Sequence, residues 1–383
     1  MKKYASFLER IDEKRPKRML ALDGGGIRGL ITIEILGRLE ALLRDAYGDQ
    51  DLVLADYFDY VGGTSTGAII ATGIARGMTV DKIRTFYLEG GRVMLKPAAF
   101  LTRFLYHRNV ATGLTAALKA ELGESTLLGD PAMRSLLLLV MRNEDTDSPW
   151  PLSNNPKALY NQGTAEDGNN LLVPLWQLVR ASTAAPTYFP PEEIQIGKNK
   201  FIFVDGAITM YNNPAFLLYL MATLVPYRLC WERGEDQMLL VSVGNGMSAY
   251  AAKGLEPSQM TMLYSATRIP AALMYAASVE ADKLCRIFGR CLFGAALDSE
   301  IGHLLEPLDQ CPWRPKDFTY VRYDPSLTRE GLDDLGLTGI QPEQVLPLTS
   351  GDNLDKLQAV GQAFAKHVDL AHFGMLDPRR TPA

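Results

Sequence analysis

Apolar positions along this chain follow two rhythms: short unbroken runs that stop at glycine or polar residues, and longer stretches repeating every three to four residues. Arg18 to Asp23 (RMLALD) is of the first kind and halts at three glycines, as a buried strand does before a tight turn. From Gly29 to about Ala46 the second rhythm takes over, with Leu30, Ile33, Leu36, Leu39 and Leu43 sharing one face of a predicted helix. Asp59 to Gly62 reads as the end of a second strand, and Thr66 to Arg76 (TGAIIATGIAR) as a small-residue helix packed beneath it. Leu136 to Met141 (LLLLVM) is apolar throughout, the mark of a strand covered on both faces. Phe201 to Val204 and Leu239 to Val243 predict two further buried strands. Strands alternating with helices imply an α/β layered fold with a mainly parallel sheet. Residues 93–130 and 255–315 break the alternation and read as helical or irregular insertions placed to cover a site.

Composition narrows the function classes. A net charge of −5 and a pI near 5.6 argue against DNA or RNA as an electrostatic partner. The basic cluster Lys14, Arg15, Lys17 and Arg18 is read as a solvated lead-in to the first strand. MKKYASFLERIDEKRPKRML has no apolar h-region and does not read as a signal peptide. The most apolar stretch, Ala215 to Val225, falls short of the roughly 20 residues that span a bilayer, so it predicts a buried or interfacial helix. Cys230, Cys285, Cys291 and Cys311 show neither zinc spacing nor a disulfide framework. A reduced, cytoplasmic protein without metal or cofactor is the expectation.

Three motifs carry the candidate chemistry. Asp23-Gly24-Gly25-Gly26-Ile27-Arg28-Gly29 joins a strand to a helix, where bare glycine N–H groups and the positive helix end stabilise an anion. Gly24, Gly26 and Gly29 also satisfy the GxGxxG dinucleotide fingerprint, which is weak by itself. That reading needs an acidic ribose ligand at a second strand end, and Asp45, the residue at about the right spacing, falls late in the predicted helix. Gly63-Thr64-Ser65-Thr66-Gly67 is a GxSxG at a strand–helix junction, the context of a nucleophile elbow; a plain helix-capping turn is the alternative. Asp205-Gly206-Ala207 ends a strand, either as a turn former or as a carboxylate carried toward a cleft.

In this combination and order the chain resembles the patatin-like phospholipase family, which joins a DGGGxRG loop, a GxSxG serine and a DG[GA] aspartate. LVRASTAAPTYFPP (Leu178 to Pro191), Asn212-Asn213-Pro214 and LLVSVGNG (Leu239 to Gly246) resemble further family segments. The likeness covers residues 18–246, taken as the catalytic core; 247–383 is taken as a mainly helical extension packed on it. The resemblance implies a three-layer α/β fold and a phospholipase A-type acyl hydrolase acting at the inner membrane surface on membrane phospholipid. It makes Ser65 the nucleophile, Asp205 its base, and Gly24, Gly25, Gly26 and Arg28 the oxyanion region, with Gly63 and Gly67 shaping the elbow.

A Ser-His-Asp triad is the competing reading, with His303, His367 and His372 following Asp205 in the order of an α/β-hydrolase. None of the three sits in a strand–loop context that delivers it to Ser65, and a triad leaves the DGGGIRG loop unexplained. The resemblance also admits activation by a cyclic oligonucleotide in antiviral defence, with Arg268, Arg286 and Arg290 as a sensing surface. For membrane contact, Phe100, Leu101, Phe104 and Leu105 beside Lys96, Arg103, His107 and Arg108 form an apolar–basic mixture suited to an anionic interface.

Overall fold

The computed structural model describes residues 4, 6–94, 103–186, 188–246, 262–297, 302–303, 315–348 and 353–380. Helix α1 (Phe7–Asp12) precedes strand β1 (Lys17–Leu22), and α2 (Gly29–Tyr47) and the short α3 (Leu54–Tyr57) lead to β2 (Tyr60–Thr64). Three helices follow: α4 (Thr66–Ala75), α5 (Val80–Met94) and α6 (Arg103–Leu122). Then come β3 (Leu136–Asn143), β4 (Ser148–Ser153), α7 (Leu175–Ser182), β5 (Glu192–Ile196) and β6 (Asn199–Asp205). The chain continues through α8 (Ala215–Thr223), β7 (Met238–Val243), α9 (Met262–Phe288), β8 (Arg290–Phe293) and β9 (Thr319–Tyr323). It closes with α10 (Arg329–Asp334), α11 (Pro342–Val345) and α12 (Leu354–Ala365).

Period-two alternation on the central strands builds two separate cores, one on each face of a single sheet. Leu20 and Leu22 of β1, Leu137, Leu139 and Met141 of β3, and Leu239, Val241 and Val243 of β7 face a core filled by α2, α4, α5, α6, α7 and α12. The intervening Met19, Ala21, Leu136, Leu138, Val140 and Leu240 face a second core filled by α8 and the end of α9. Both faces are dry, which is why the strands read as continuous apolar runs in the sequence. The result is the expected three-layer, mainly parallel α/β fold, with strands in the order β5-β6-β3-β2-β1-β7-β9-β8.

The strand pairing around β3 brings the candidate site together. β4 lies antiparallel along Leu138–Asn143 and fills one edge of β3. The other edge is shared: β2 runs parallel along its first half and β6 antiparallel along its second. Thr64, the last residue of β2, pairs with Val140; Asp205, the last of β6, pairs with the next residue, Met141. The two strands therefore meet head-on, and the residue after Thr64 is set beside Asp205.

Four stretches bear on the expectations. The run at 201–204 is a buried strand only at its end: Phe203, Val204 and Asp205 are buried, whereas Ile202 stands exposed at the open side of the sheet. The 255–315 stretch is not only insertion, because it holds β8, which pairs parallel to β9, itself parallel to β7, so 247–383 contributes strands as well as helices. Within 93–130, read as a helical or irregular insertion, residues 103–122 form the helix α6. Lys96, Phe100 and Leu101 lie outside the described residues, as do the side chains of Arg103, Phe104, Leu105, His107 and Arg108. Finally, α8 is a core helix through Leu217 and Leu218, but the chain just past it exposes Leu224 and Val225.

Candidate active site

The elbow between β2 and α4 is built by close backbone contact. Ser65 has φ 55° and ψ −121°, a conformation that costs a non-glycine residue about 1–3 kcal/mol and persists only where its surroundings enforce it. Those surroundings explain both flanking glycines. A Cβ on Gly63 would lie 2.1 Å from the Gly67 carbonyl oxygen, and one on Gly67 would lie 2.3 Å from that of Leu22. The Ser65 N–H donates to Ser182 Oγ at 3.0 Å, and Ser182 donates in turn to the Val140 carbonyl at 2.6 Å. The elbow is thus tied to the point on β3 where the two strands meet.

Ser65 Oγ donates to Asp205 Oδ2 at 2.6 Å, with no group between them. The other carboxylate oxygen accepts the Ala207 N–H at 2.8 Å, which fixes the plane of the group. Gly206 must lack a side chain because a Cβ there would lie 2.4 Å from the Val140 carbonyl oxygen. Asp205 is 2% exposed. Burial pushes its pKa up to about 7, against the opposing pull of the Ser65 and Ala207 hydrogen bonds and the buried Arg180 charge. A carboxyl titrating near neutrality is suited to exchanging a proton with the serine.

The glycine loop lies against this pair. A Cβ placed on Gly24 would come within 3.2 Å of Ser65 Cβ and 2.5 Å of Asn212 Oδ1. The Gly24 N–H already donates to the Asn212 carbonyl at 3.0 Å. The N–H groups of Gly25 and Gly26 have no acceptor among the described residues and stay available for an anion. Gly26 adopts φ +57°, and its carbonyl accepts from Thr66 Oγ1 at 2.9 Å and from the Tyr87 hydroxyl. Arg28 is buried and donates to the Gly246 carbonyl at 3.1 Å; burial draws its pKa down to about 10, and the nearby Asp324 and Asp23 charges counter only part of that. Its guanidinium therefore braces the loop from the β7 side.

Several residues that matter here were not singled out from the sequence. Arg322 on β9 donates to both oxygens of Asp23, at 2.8 and 2.6 Å, and to Asp324 Oδ2 at 2.7 Å. Asn212 and Asn245 both donate to the Gly24 carbonyl. Asn212, Ser182 and Asn245 lie inside the segments that resemble family blocks, but only their partners in space reveal what they hold.

The described histidines are elsewhere. His372 stacks on Phe293 and its Nδ1 lies 3.0 Å from the Tyr323 hydroxyl, while His367 packs beside Phe364. The His303 carbonyl accepts from Arg286. The dinucleotide reading also fails on geometry: Asp45 sits on α2, not at a strand end, and Ser65 crowds the glycine loop. Of the arginines expected to sense a nucleotide, Arg286 is buried against Asp282 and Arg290 pairs with Glu235. The Arg268 side chain lies outside the described residues.

A strained elbow serine bonded directly to one buried aspartate, beside a glycine loop on a mainly parallel sheet, defines a serine–acid dyad site on an α/β scaffold. Residues 20–219 match the family described as patatin-like phospholipase, and the chain belongs to that family. Patatin-17 of Solanum cardiophyllum is 27% identical over 248 residues, covering 60% of this chain and 61% of its own. Patatin-2-Kuras 3 of Solanum tuberosum is 28% identical over the same length and coverage. The chain thus spans about three fifths of the length of these relatives. Among solved structures, human GIVD cytosolic phospholipase A2 aligns with 98% of this chain and 65% of its own at 12% identity, with a TM-score of 0.48. No helix of the described residues is long and apolar enough to cross a membrane.

Proposed function

We propose that this protein is a lipid acyl hydrolase of the phospholipase A type, working through Ser65 and Asp205 alone. The observation that carries the reading is the direct 2.6 Å contact of Ser65 Oγ with a buried carboxylate titrating near neutrality. Asp205 Oδ2 takes the Ser65 proton as Oγ attacks the ester carbonyl. The Gly25 and Gly26 N–H groups and the N-terminus of α4 receive the negative charge that develops on the carbonyl oxygen. As the tetrahedral centre collapses, Asp205 gives its proton to the departing lysophospholipid alkoxide and an acyl-serine remains. Water then attacks the acyl carbon, losing a proton to Asp205; the fatty acid leaves and Ser65 takes that proton back.

Membrane phospholipid as substrate is supported by the family, and action at the inner membrane surface rests on the resemblance alone. Activation by a cyclic oligonucleotide rests on the family resemblance alone, since the described arginines named for it are held in internal ion pairs.

The test incubates the purified protein with phospholipid vesicles and with a soluble short-chain ester, with and without a panel of cyclic nucleotides. Wild type should release fatty acid, and Ser65→Ala should lose about 10⁴-fold or more in kcat with an unchanged unfolding midpoint. His372→Ala should keep full activity. Substantial hydrolysis by Ser65→Ala overturns the assignment, and loss of activity in a folded His372→Ala revives a histidine base.

A further inference from the structure

We propose that Asn245 is a positioning residue for this site: it sets the peptide between Gly24 and Gly25 so that the Gly25 N–H serves as an oxyanion donor. The inference rests on the hydrolase reading above.

Asn245 lies in the turn after β7 and is wholly buried. Its Nδ2 donates to the Gly24 carbonyl at 2.9 Å and reaches the Asp23 carbonyl at 3.4 Å. Asn212, on the loop after β6, donates to the same Gly24 oxygen at 3.4 Å and to Ser278 Oγ on α9 at 3.1 Å. One carbonyl is therefore gripped by amides from two distant parts of the chain.

The carbonyl and the N–H of a trans peptide project in opposite directions from one rigid plane. Drawing the Gly24 oxygen toward Asn245 sends the Gly25 N–H away from Asn245. That N–H has no acceptor among the described residues, while those of Gly24, Ile27 and Arg28 are all bonded within the protein. Gly24 itself abuts Ser65, so the freed donor belongs to the wall of the same site.

Glycine peptides turn easily because no Cβ restrains them, so this plane needs an outside restraint. Asn245 supplies it sterically as well, since a Cβ on Gly25 would fall 2.2 Å from its amide. Asn245 Oδ1 has no hydrogen-bond partner among the described residues. A buried amide with one end unpaired costs free energy that an apolar residue would avoid, which calls for a role at its donor end.

The experiment compares wild type, Asn245→Asp and Asn245→Ser on a soluble short-chain ester. It also measures inhibition by a trifluoromethyl ketone, which forms a tetrahedral adduct with serine, and urea unfolding. Asn245→Asp keeps the shape but replaces the donor with an acceptor that repels the Gly24 oxygen. It should lower kcat about 10²–10³-fold, as loss of an oxyanion donor does, with KM nearly unchanged and ketone affinity falling in parallel. Asn245→Ser retains a hydroxyl donor and should fall between the two; it carries the test if Asn245→Asp does not fold. Unchanged kcat, or kcat, KM and unfolding midpoint all worsening together, overturns the proposal. A wild type that neither hydrolyses esters nor labels Ser65 with a fluorophosphonate sinks the hydrolase reading and this inference with it. An active wild type with indifferent Asn245 variants sinks this inference alone.

Discussion

The two glycine-rich turns of the site draw on main chain and side chains in different proportions. The elbow at Gly63–Gly67 is defined by main chain against main chain: the missing Cβ atoms would strike the carbonyls of Gly67 and Leu22. The loop at Gly24–Gly26 meets main chain at the Asn212 and Leu348 carbonyls, but it is also held by side chains, Thr66 of the elbow itself and Asn212, Asn245 and Tyr87 from farther along the chain. Main chain in a sheet cannot step aside, so the elbow is rigid as soon as β1, β2 and α4 have packed. Side chains can shift, so the loop has a definite conformation only once the whole domain has closed around it.

Gly67→Ala probes the harder of these two constraints and should have the largest effect. Its Cβ would press on the Leu22 oxygen at 2.3 Å and the Asp23 oxygen at 2.8 Å, costing about 3 kcal/mol as overpacked cores do. Urea unfolding should show a strongly lowered midpoint, with activity lost alongside it. Gly25→Ala should behave differently, because the three atoms nearest to its Cβ, at 2.2–2.3 Å, all belong to the Asn245 side chain rather than to main chain, and its φ of −174° suits any residue. The expected outcome is a nearly unchanged unfolding midpoint with kcat reduced about 10²-fold. If Gly25→Ala unfolds as readily as Gly67→Ala, the contrast between the turns is wrong.

A smaller and more graded effect separates the chemistry of the elbow from its shape. Asp205 must be ionised to accept the Ser65 proton, so kcat/KM should rise with pH up to about 7 and then level off. Whatever residual activity Asp205→Asn keeps should lack that limb. Stability should run the other way. Burial raises the folded-state pKa above the usual 3.8, so the favourable protonated state is present at low pH and lost as pH rises from about 4 through about 7. Asp205→Asn carries no buried charge and should unfold at higher urea than wild type above pH 7, with the advantage fading toward pH 4. An advantage that grows toward low pH contradicts the raised pKa.

This contrast also marks what the sequence discloses. RMLALD followed by GGG, and GTSTG at a strand–helix junction, are local statements, and both elements formed where the pattern placed them. β4 escaped notice because SPWPLS carries two prolines, which only an edge strand tolerates. β5 alternates exposed and buried residues over only five positions. β8 is four residues long and partly exposed, too short to carry a period. β9 is wholly buried, but its TYVRY holds an arginine whose charge is neutralised by Asp23 and Asp324, partners that no local pattern reveals. No strand-end context marks His303, His367 or His372, and the described rings of His367 and His372 pack on Phe364 and Phe293. The grip on Gly24 was illegible, since Asn245 lies 221 positions along the chain from the carbonyl it holds.

The shared edge of β3 makes that strand a length standard for the reaction. Neither the serine-bearing β2 nor the aspartate-bearing β6 touches the other in a ladder; each is measured off against β3, and the count ends on adjacent residues, Val140 and Met141. Removing or inserting one residue within 136–143 would displace one partner by about 3.3 Å, more than the hydrogen bond between them is long. Both motifs could survive such a change letter for letter and yet face nothing. For recombination between relatives, the indivisible inheritance is therefore wider than either motif: elbow, aspartate and the strand that gauges the gap must come from the same parent.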